Sequence, residues 1–476
     1  MRPVFTFLLI LIYLPLFAQP GLQKKIDSVT GLIQEYYNKK DAESLYSMAG
    51  AEFKKQLSEE TFTQTLESLH QQIGKITSLE FESLNGTVAK YKAGFTNQFM
   101  SLLVGLDDAD KLETLLLQQY EAPPPPKDDS TIVPARNPLR TELDKLVDSL
   151  VSPFMRRNNT VGLAMGILNN GQTHVYGYGE KEKGKKQIPA GNTLFEIGSV
   201  SKTFTATLLA YFVQQGKIKL DDPVNKYLPD SVAKLEYNGK PVTVASLSNH
   251  SSGLPRLPAD LFQNADPVNP YKHYDNKKLF SYLAKFKPTR EPGERYEYSN
   301  LAVGLLGVIL ERISGKSYET LLKEIIWQPL QMNATRLTLG KADSAFFAQG
   351  YSANVQPAHS WEFQSLAAAG GIRSNINDML LYAKAQVAGN EHAALQKAIQ
   401  LTHRQTYKNG QTEVALGWHF INGPGGKQYL GHNGQTGGYC SIMVFNPLTK
   451  KAVVILTNAS VQASAIAITL LNRIDN

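Results

Sequence analysis

The chain has 476 residues, of which 42% are hydrophobic and 19% are charged, and its formal net charge is +7. This composition excludes a disordered chain and is typical of a soluble globular protein that is too long for a single core. The positive excess is modest and forms no basic run with interleaved aromatic residues. It therefore indicates an ordinary solvated surface, without nucleic acid or another anionic polymer as a partner.

The first 19 residues are typical of an export signal. Arg2 gives a positive start, residues 4–17 are almost wholly apolar, and the small residue Ala18 follows. This apolar run is shorter than the ~20 residues of a membrane-spanning helix. We therefore expect a cleavable signal peptide over residues 1–19, with an uncleaved anchor or a buried strand as the alternatives. The mature protein would be periplasmic or secreted, with no stable membrane anchor after cleavage.

Residues 20–121 predict a small N-terminal α+β domain. Helical spacing occupies residues 22–74, where apolar residues recur three or four positions apart, as at Ile26, Val29, Ile33 and Tyr37. Strands are expected over residues 76–84 and 87–95, on either side of the turn Asn85-Gly86, and two more around Asp107-Asp108. Helices followed by an antiparallel sheet resemble the small cone-shaped α+β folds related to nuclear transport factor 2.

A proline-rich linker over residues 122–137 separates this domain from a larger one over residues 138–476. Consecutive prolines at 123–126 forbid a helix and favour an extended spacer. In the larger domain we expect terminal helices at 139–155 and 461–474, and strands at 161–168, 173–178, 414–420, 428–431, 438–446 and 452–457. Strands from both ends of the domain imply one antiparallel sheet, with the material between them inserted as a flanking region.

The most informative motif is Gly198-Ser199-Val200-Ser201-Lys202, which opens an apolar helix. Residues three apart share one face of a helix, so the ends of the Ser199 and Lys202 side chains can meet. A serine hydroxyl is a weak nucleophile and needs a partner that accepts its proton, which a buried, neutral lysine amine can do. A second Ser-x-x-Lys, Ser231 with Lys234, lies in a predicted turn, and we interpret it as incidental.

A second motif is Tyr298-Ser299-Asn300, which leads into another apolar helix. A tyrosine beside a lysine cation would lose its proton more easily and could act as a general base, and an asparagine amide can orient both substrate and lysine. Other Tyr-x-Asn sequences begin at Tyr36, Tyr274 and Tyr407, but only the one at Tyr298 opens a helix of this kind.

A third motif, residues 431–438, places His432 beside a glycine-rich strand end. Gly434 would let a substrate backbone lie against the protein, and His432 could donate a hydrogen bond or move a proton, although a loop histidine without function is the alternative. Cys440 is the only cysteine, and its apolar neighbours favour a structural thiol over a nucleophile. We therefore expect catalysis by a serine, with no metal and no cofactor.

The three motifs, in this order and spacing, resemble those of class C β-lactamases and low-molecular-weight penicillin-binding proteins. The resemblance covers essentially all of residues 138–476, with further landmarks at residues 249–255, 369–371 and 416–418. It implies an α+β, β-lactamase/transpeptidase-like fold, in which helices and a helical inserted region flank an antiparallel sheet. A small α+β domain would precede this fold.

The same resemblance implies the roles of the site residues. Ser199 would be acylated, Lys202 and Tyr298 would move protons, and Asn300 would hold the substrate amide. The backbone N–H groups of Ser199 and Gln435 would form the oxyanion hole. The substrate would be a small molecule or a peptide, such as a β-lactam, a D-alanyl or D-aminoacyl peptide from peptidoglycan, or a small ester. A penicillin- or wall-binding sensor that is acylated once without turnover is the alternative.

Two departures from the family pattern bear on the substrate. The third motif of β-lactamases usually begins with lysine, threonine and glycine, whereas this chain has His432-Asn433-Gly434. A histidine at this place is more typical of the family's esterases, D-aminopeptidases and D,D-peptidases. After the Gly-Leu-Pro loop, Arg256-Leu257 stands where class C enzymes carry a glutamine. Efficient cephalosporin hydrolysis is therefore not expected.

Overall fold

The computed structural model describes residues 20–85, 87–96, 98–120, 132–266, 268–410, 412–423 and 426–475. The predicted signal peptide and most of the predicted linker lie outside these residues. The chain divides into two compact units, residues 1–121 and residues 122–476. Each unit has its own hydrophobic core.

The first unit consists of helices followed by a four-stranded antiparallel sheet in the order β1-β2-β3-β4. The helices are α1 (Pro20–Lys39), α2 (Ala42–Ser47), α3 (Ala51–Gln56) and α4 (Glu59–Ile73). The strands are β1 (Ile76–Asn85), β2 (Val88–Phe95), β3 (Phe99–Leu106) and β4 (Leu112–Gln119). Asn85 pairs with Val88, so β1 and β2 form a hairpin at the predicted turn, of which Gly86 lies outside the described residues.

Alternation along the strands explains how this sheet packs on its helices. On β2, Ala89, Tyr91 and Ala93 are buried, whereas Lys90 and Lys92, which alternate with them, are only half-buried. The buried strand side chains join Ile33 and Phe62 of the helices in one core. The first unit is therefore an amphipathic sheet that is covered on one face by helices.

The second unit is built on a nine-stranded sheet with helices on both faces. Its helices are α5 (Glu142–Met155), α6 (Ser201–Gln214), α7 (Val244–Ser248), α8 (Asn276–Leu283), α9 (Asn300–Ser314), α10 (Tyr318–Leu322), α11 (Ala367–Gly370), α12 (Ile376–Ala388), α13 (Ala393–Thr402) and α14 (Ser464–Ile474). Short 3₁₀ turns include Gly198–Val200, and a π-helical turn spans Lys323–Trp327.

The strands of the second unit are β5 (Ala135–Arg136), β6 (Gly162–Asn169), β7 (Gln172–Gly179), β8 (Phe195–Glu196), β9 (Glu236–Tyr237), β10 (Lys240–Pro241), β11 (Gly350–Tyr351), β12 (Pro357–Ala358), β13 (Arg373–Ser374), β14 (Tyr407–Asn409), β15 (Thr412–Val414), β16 (His419–Asn422), β17 (Gln428–Gln435), β18 (Cys440–Asn446) and β19 (Lys451–Thr457). The large sheet has the order β14-β15-β16-β17-β18-β19-β6-β7-β5. Because β19 pairs antiparallel with β6, strands from both ends of the unit form one sheet, as the sequence predicted.

Two cores lie on opposite faces of this sheet. Val147 and Val151 of α5 and Leu470 of α14 pack with strand residues in the smaller core. The larger core contains α6, α9 and α12, which belong to the inserted region between β7 and β14. The 3₁₀ turn Gly198–Val200, which leads into α6, packs against β17, and so the first and third motifs lie side by side.

The structure differs from the predicted elements at three places. The strand predicted over 414–420 is broken by Gly417, which has a φ of +71° that disfavours other residues. The predicted helix start at Leu139 is wrong, since Leu139 has a φ of +54° and the helix begins after the N-cap Thr141. The strand predicted over 428–431 continues to Gln435, so His432, Gly434 and Gln435 lie within the strand and only residues 436–438 of the third motif follow it.

Candidate active site

The turn that carries Ser199 is pressed against strand β17. Gly198 has a φ of +47°, and a Cβ atom on it would lie 2.7 Å from the backbone nitrogen of Gln435. A Cβ on Gly434 would lie 2.1 Å from the carbonyl oxygen of Ile197 and 2.9 Å from the backbone nitrogen of Ser199. Only glycine fits at both positions. This close approach brings the backbone at Ser199 and the backbone at Gln435 into direct contact.

Lys202 lies on the first turn of α6 and is buried, with 1% of its surface exposed. Its Nζ donates to the carbonyl oxygen of Ala369 at 2.6 Å and to Oδ1 of Asn300 at 2.8 Å, and it lies 3.0 Å from Oγ of Ser199. The structure thus brings the two residues of the first motif together with one residue of the second. It also adds Ala369, a backbone acceptor.

The environment of Lys202 favours a neutral amine. Burial, with a smaller contribution from the Arg256 guanidinium, holds the pKa of Lys202 well below its usual range. The oxygens of Ala369 and Asn300 can only accept hydrogen bonds, so they take two hydrogens. A neutral amine has two, and its lone pair then remains for the third contact, the hydroxyl of Ser199. The geometry therefore provides a proton acceptor at the nucleophile.

Tyr298 completes the contacts around Ser199. Its phenol lies beside the Ser199 side chain, and the Nζ of Lys202 lies 4.8 Å from the centre of its ring. Burial raises the pKa of Tyr298 to about 12, although Ser199 and Arg256 act in the opposite direction. The expectation that a neighbouring lysine eases its ionisation is therefore wrong in direction. Burial lowers the pKa of Lys202 as well, which favours its neutral form, and desolvation of the phenolate outweighs the positive charge nearby.

The second motif is fixed by the start of helix α9. Ser299 is the N-cap: its Oγ accepts the N–H of Ala302 at 2.9 Å and donates to the carbonyl oxygen of Pro255 at 2.6 Å. The next residue, Asn300, donates its backbone N–H to the carbonyl oxygen of Arg256 at 2.9 Å. These bonds tie the helix start to the loop that follows the Gly-Leu-Pro sequence, and so they aim the side chains of Tyr298 and Asn300 at Lys202.

Gln435 and His432 of the third motif have different surroundings. The Gln435 side chain donates to Ser460 Oγ at 3.3 Å and accepts from Gln462 Nε2 at 3.2 Å, so it is held at the strand edge. His432 is buried, its Nδ1 lies 2.6 Å from the Asn433 carbonyl oxygen, and its Nε2 has no partner. Burial, His419 and Lys202 lower its pKa well below the usual range, so this position carries a neutral imidazole.

A model of the family described as beta-lactamase matches residues 147–473 of the chain. The chain belongs to the β-lactamase family. It is 32% identical to a β-lactamase from Pseudomonas fluorescens over 58% of this chain and 74% of that protein. It is 29% identical to one from Providencia stuartii over 66% and 86% of the two chains.

Solved structures agree with this assignment. A class C β-lactamase has a TM-score of 0.62 and 28% identity, and it covers 70% of this chain and 95% of its own. A mutant of a class C β-lactamase has a TM-score of 0.61, again with 28% identity, over 70% and 97% of the two chains. The predicted fold class and the predicted family are confirmed, and the chain is a serine hydrolase of the β-lactamase family.

The first unit matches a different family model. Residues 32–115 match a model described as a protein of unknown function, DUF3887. The observed order of helices and then an antiparallel sheet is compatible with the predicted resemblance to nuclear transport factor 2 folds. Within the described residues of the chain, no helix combines the length and apolar character needed to cross a membrane, and no cluster of side chains could hold a metal ion.

Sequence reasoning missed several residues around this β-lactamase-family site. The carbonyl of Ala369 carries no side-chain signal, and in the sequence residues 369–371 are only a landmark of the family resemblance. His250 and His419 also lie at the site: the ring of His250 is 4.3 Å from that of Tyr298, and the ring of His419 is 5.0 Å from that of His432. Three histidines spread over almost two hundred residues give no local pattern that would have indicated their meeting.

Proposed function

We propose that this protein is an exported serine hydrolase that cleaves an amide or ester through an acyl intermediate on Ser199. The observation that carries the proposal is the buried Lys202 amine, with two carbonyl acceptors and the Ser199 hydroxyl as its three partners. An amine in this arrangement activates a serine without a histidine, a metal or a cofactor.

In the acylation step, Oγ of Ser199 attacks the substrate carbonyl carbon and its proton passes to the Lys202 amine. The carbonyl oxygen becomes an oxyanion, which the backbone N–H groups of Ser199 and Gln435 would stabilise. The tetrahedral intermediate then collapses as the bond to the leaving group breaks. Tyr298, protonated in the free protein, would donate its proton to the leaving group and recover one from Lys202.

In the deacylation step, a water molecule attacks the acyl carbon and the same proton path runs in reverse. The proton of the water passes to the Tyr298–Lys202 pair, and Ser199 Oγ leaves and regains a proton. Because Tyr298 starts as a neutral phenol, Lys202 is the group that ultimately accepts the proton of the water. Ser199 is half-buried and therefore accessible to small molecules.

The absence of a charged group at His432 bears on the substrate. A neutral, buried imidazole attracts a substrate carboxylate less than a lysine at the same position would. We therefore rank small esters, which carry no carboxylate, ahead of penicillins, cephalosporins and the D-alanyl peptides of peptidoglycan, all of which carry one, and D-aminoacyl peptides remain candidates beside the esters. The first unit has no assigned part in the reaction.

A sensor that is acylated without turnover is the second candidate. The observation that favours it is the high pKa of Tyr298, which leaves no phenolate ready to activate the deacylating water. In that case the acyl-Ser199 species would persist, and the first unit would transmit its presence. Export, shared by both candidates, rests on the apolar residues 4–17, and N-terminal sequencing of the expressed protein tests it.

Intact-mass spectrometry of the mature protein mixed with a penicillin separates these candidates. Turnover is expected to give hydrolysed penicillin and little lasting adduct, whereas a sensor gives a long-lived adduct at equimolar amount. Ser199→Ala must abolish both signals, and Ser231→Ala, in the second Ser-x-x-Lys sequence, is the matched control that must not. If neither signal appears with penicillin, esters and D-aminoacyl peptides are tested next. Turnover retained in Ser199→Ala would overturn the proposal.

A further inference from the structure

His250 occupies an unusual position behind Tyr298. It is buried, with 1% of its surface exposed, and its φ of +62° lies in the left-handed region that few residues other than glycine adopt. Such a conformation costs roughly 1–2 kcal/mol and persists only where the surroundings hold it. The contacts of His250 with the residues around Tyr298 are what hold it in this conformation.

His250 accepts two hydrogen bonds from the residues on either side of Tyr298. The carbonyl oxygen of His250 accepts the N–H of Glu297 at 2.8 Å, and its Nδ1 accepts the N–H of Ser299 at 3.2 Å. These are the backbone groups on either side of Tyr298. The positive φ of His250 is what allows its carbonyl and its ring to reach the same short segment. The backbone of Tyr298 is therefore held from both sides by one residue.

The ring of His250 also packs on the ring of Tyr298. The two ring centres are 4.3 Å apart with the planes tilted by 33°. On the same phenol ring, Nζ of Lys202 lies 4.8 Å from the centre and the Arg256 guanidinium carbon lies 5.1 Å from it. The imidazole thus limits where the Tyr298 ring can move relative to Ser199 and Lys202.

We propose that His250 is a positioning residue that holds Tyr298 in hydrogen-bond reach of Ser199. It does so through the two hydrogen bonds it accepts from Glu297 and Ser299 and through the packing of its ring on Tyr298. This inference rests on the proposed function, in which Tyr298 moves the proton. His250 touches neither substrate nor Ser199 in this role, and it acts only through Tyr298. A shift of about 1 Å in a catalytic group costs on the order of 100-fold in rate, which sets the expected size of the effect.

The hydrogen bond from the Ser299 N–H to Nδ1 requires a neutral His250 imidazole. Nδ1 accepts a hydrogen bond, so the proton of the neutral ring lies on Nε2, which is buried and has no partner. A second proton on Nδ1 would break the bond to Ser299. Burial is the main reason that the pKa of His250 lies well below its usual range, and the positive charge of Arg256 acts in the same direction. The other groups that face the ring are Lys202, His419 and His432, which burial also holds toward their neutral forms, and the aromatic rings of Tyr296 and Tyr298.

The test is a double-mutant cycle on the full-length protein with a chromogenic ester or penicillin that it turns over. His250→Ala is expected to lower kcat about 100-fold with little change in KM, measured per active site by titration with an acylating inhibitor. His250→Asn tolerates the left-handed conformation and keeps a side-chain oxygen as acceptor, so it is expected to regain about tenfold over His250→Ala. In a Tyr298→Phe background, His250→Ala should cost almost nothing further.

The kcat of His250→Ala in the wild-type and Tyr298→Phe backgrounds tests the positioning role. Loss of kcat in His250→Ala that disappears in the Tyr298→Phe background supports the positioning role. The same loss in both backgrounds, or unchanged kcat per active site, overturns it and leaves the proposed function standing. Full activity of Tyr298→Phe alone would overturn the proton path through Tyr298 and, with it, the role of His250. If His250→Ala does not fold, His250→Asn in the two backgrounds gives the same comparison.

Discussion

The two units of this protein treat ionisable groups differently. In the first unit, the pair Lys25–Asp110 has more than half of each side chain exposed. In the second unit, the pair Glu196–Arg373 is almost fully buried, and Lys202 is buried without any carboxylate partner. Exposed pairs contribute little to stability, whereas buried ionisable groups are costly unless their hydrogen bonds are satisfied.

The difference indicates where the chemistry lies. The second unit buries a lysine, and that burial lowers the pKa of Lys202 and so favours the neutral amine that the proposed mechanism needs. The first unit has an ordinary amphipathic sheet and helices, and among its described residues the ion pairs are exposed or half-buried and no charged side chain is fully buried. Four substitutions test this contrast between the units, and they follow from the largest expected effect to the smallest.

Removal of the nucleophile should have the largest effect. Ser199→Ala is expected to lower kcat by about 10⁶-fold, the size found when a serine nucleophile is removed from a hydrolase. Steady-state hydrolysis of the best ester or penicillin measures this, and Ser231→Ala is the control that should retain wild-type rates. A fall of less than about tenfold would show that another group carries the reaction.

Removal of the buried amine should come second. Lys202→Met keeps the volume of the side chain but removes the proton acceptor, so acylation is expected to slow by about 10³- to 10⁴-fold. Lys234→Met, at the exposed lysine of the second Ser-x-x-Lys sequence, is the matched control. Stopped-flow acylation rates compare the two variants, and equal rates for wild type and Lys202→Met would contradict the assignment.

The same variant also makes a prediction about stability and pH. Between the lowered pKa of folded Lys202 and its ordinary value of 10.5, the unfolded chain binds one more proton than the folded chain. The unfolding free energy of the wild type therefore gains about 1.4 kcal/mol per pH unit from this group as pH rises. Lys202→Met lacks this gain. In urea unfolding, the unfolding free energy of the variant minus that of the wild type should therefore fall as pH rises toward 10.

Disruption of the buried ion pair should have the third effect, on stability. Glu196 Oε1 accepts from Ser360, Trp361 and Arg373, so Glu196→Ala leaves the Arg373 guanidinium buried without its carboxylate. We expect a loss of about 3 kcal/mol in unfolding free energy. Urea unfolding measures it, and a loss below about 1 kcal/mol would show that the backbone carbonyls around Arg373 compensate.

A matched change in the first unit should have the smallest effect. Lys25→Ala removes an exposed pair, and we expect the unfolding free energy to change by less than about 0.5 kcal/mol. The same urea titration measures it beside Glu196→Ala. A change as large as that of Glu196→Ala would remove the contrast between the two units.

The sequence predicted most of the fold and the centre of the site. The spacing of Ser199 and Lys202 is local to one helix turn, so geometry follows directly from the motif. The hairpin of β6 and β7 and the last helix were also predicted, because their signals are periodicity and turn residues. The interruption of the predicted strand at Gly417 could not be predicted, because the close approach of this glycine to the backbone of Lys202 is a tertiary contact.

The surroundings of the site could not be predicted for the same reason. Ala369 acts through its carbonyl oxygen, which every residue possesses, so no side chain marks its role. The raised pKa of Tyr298 depends on how much of the ring is desolvated, which a sequence does not show. In the sequence His250 is only one residue of a family landmark, and its effect on Tyr298 depends on a backbone conformation that no sequence pattern predicts for histidine.

The protonation state of Lys202 is the central claim, and it can be measured directly. Protein labelled with ¹³C at the lysine Cε positions is titrated by NMR, and the spectrum of Lys202→Met identifies the signal of Lys202. The signal is expected to show a midpoint well below 10.5, so that the amine is neutral where the enzyme works. A midpoint near 10.5 would contradict the account, because a charged Lys202 cannot accept the proton of Ser199.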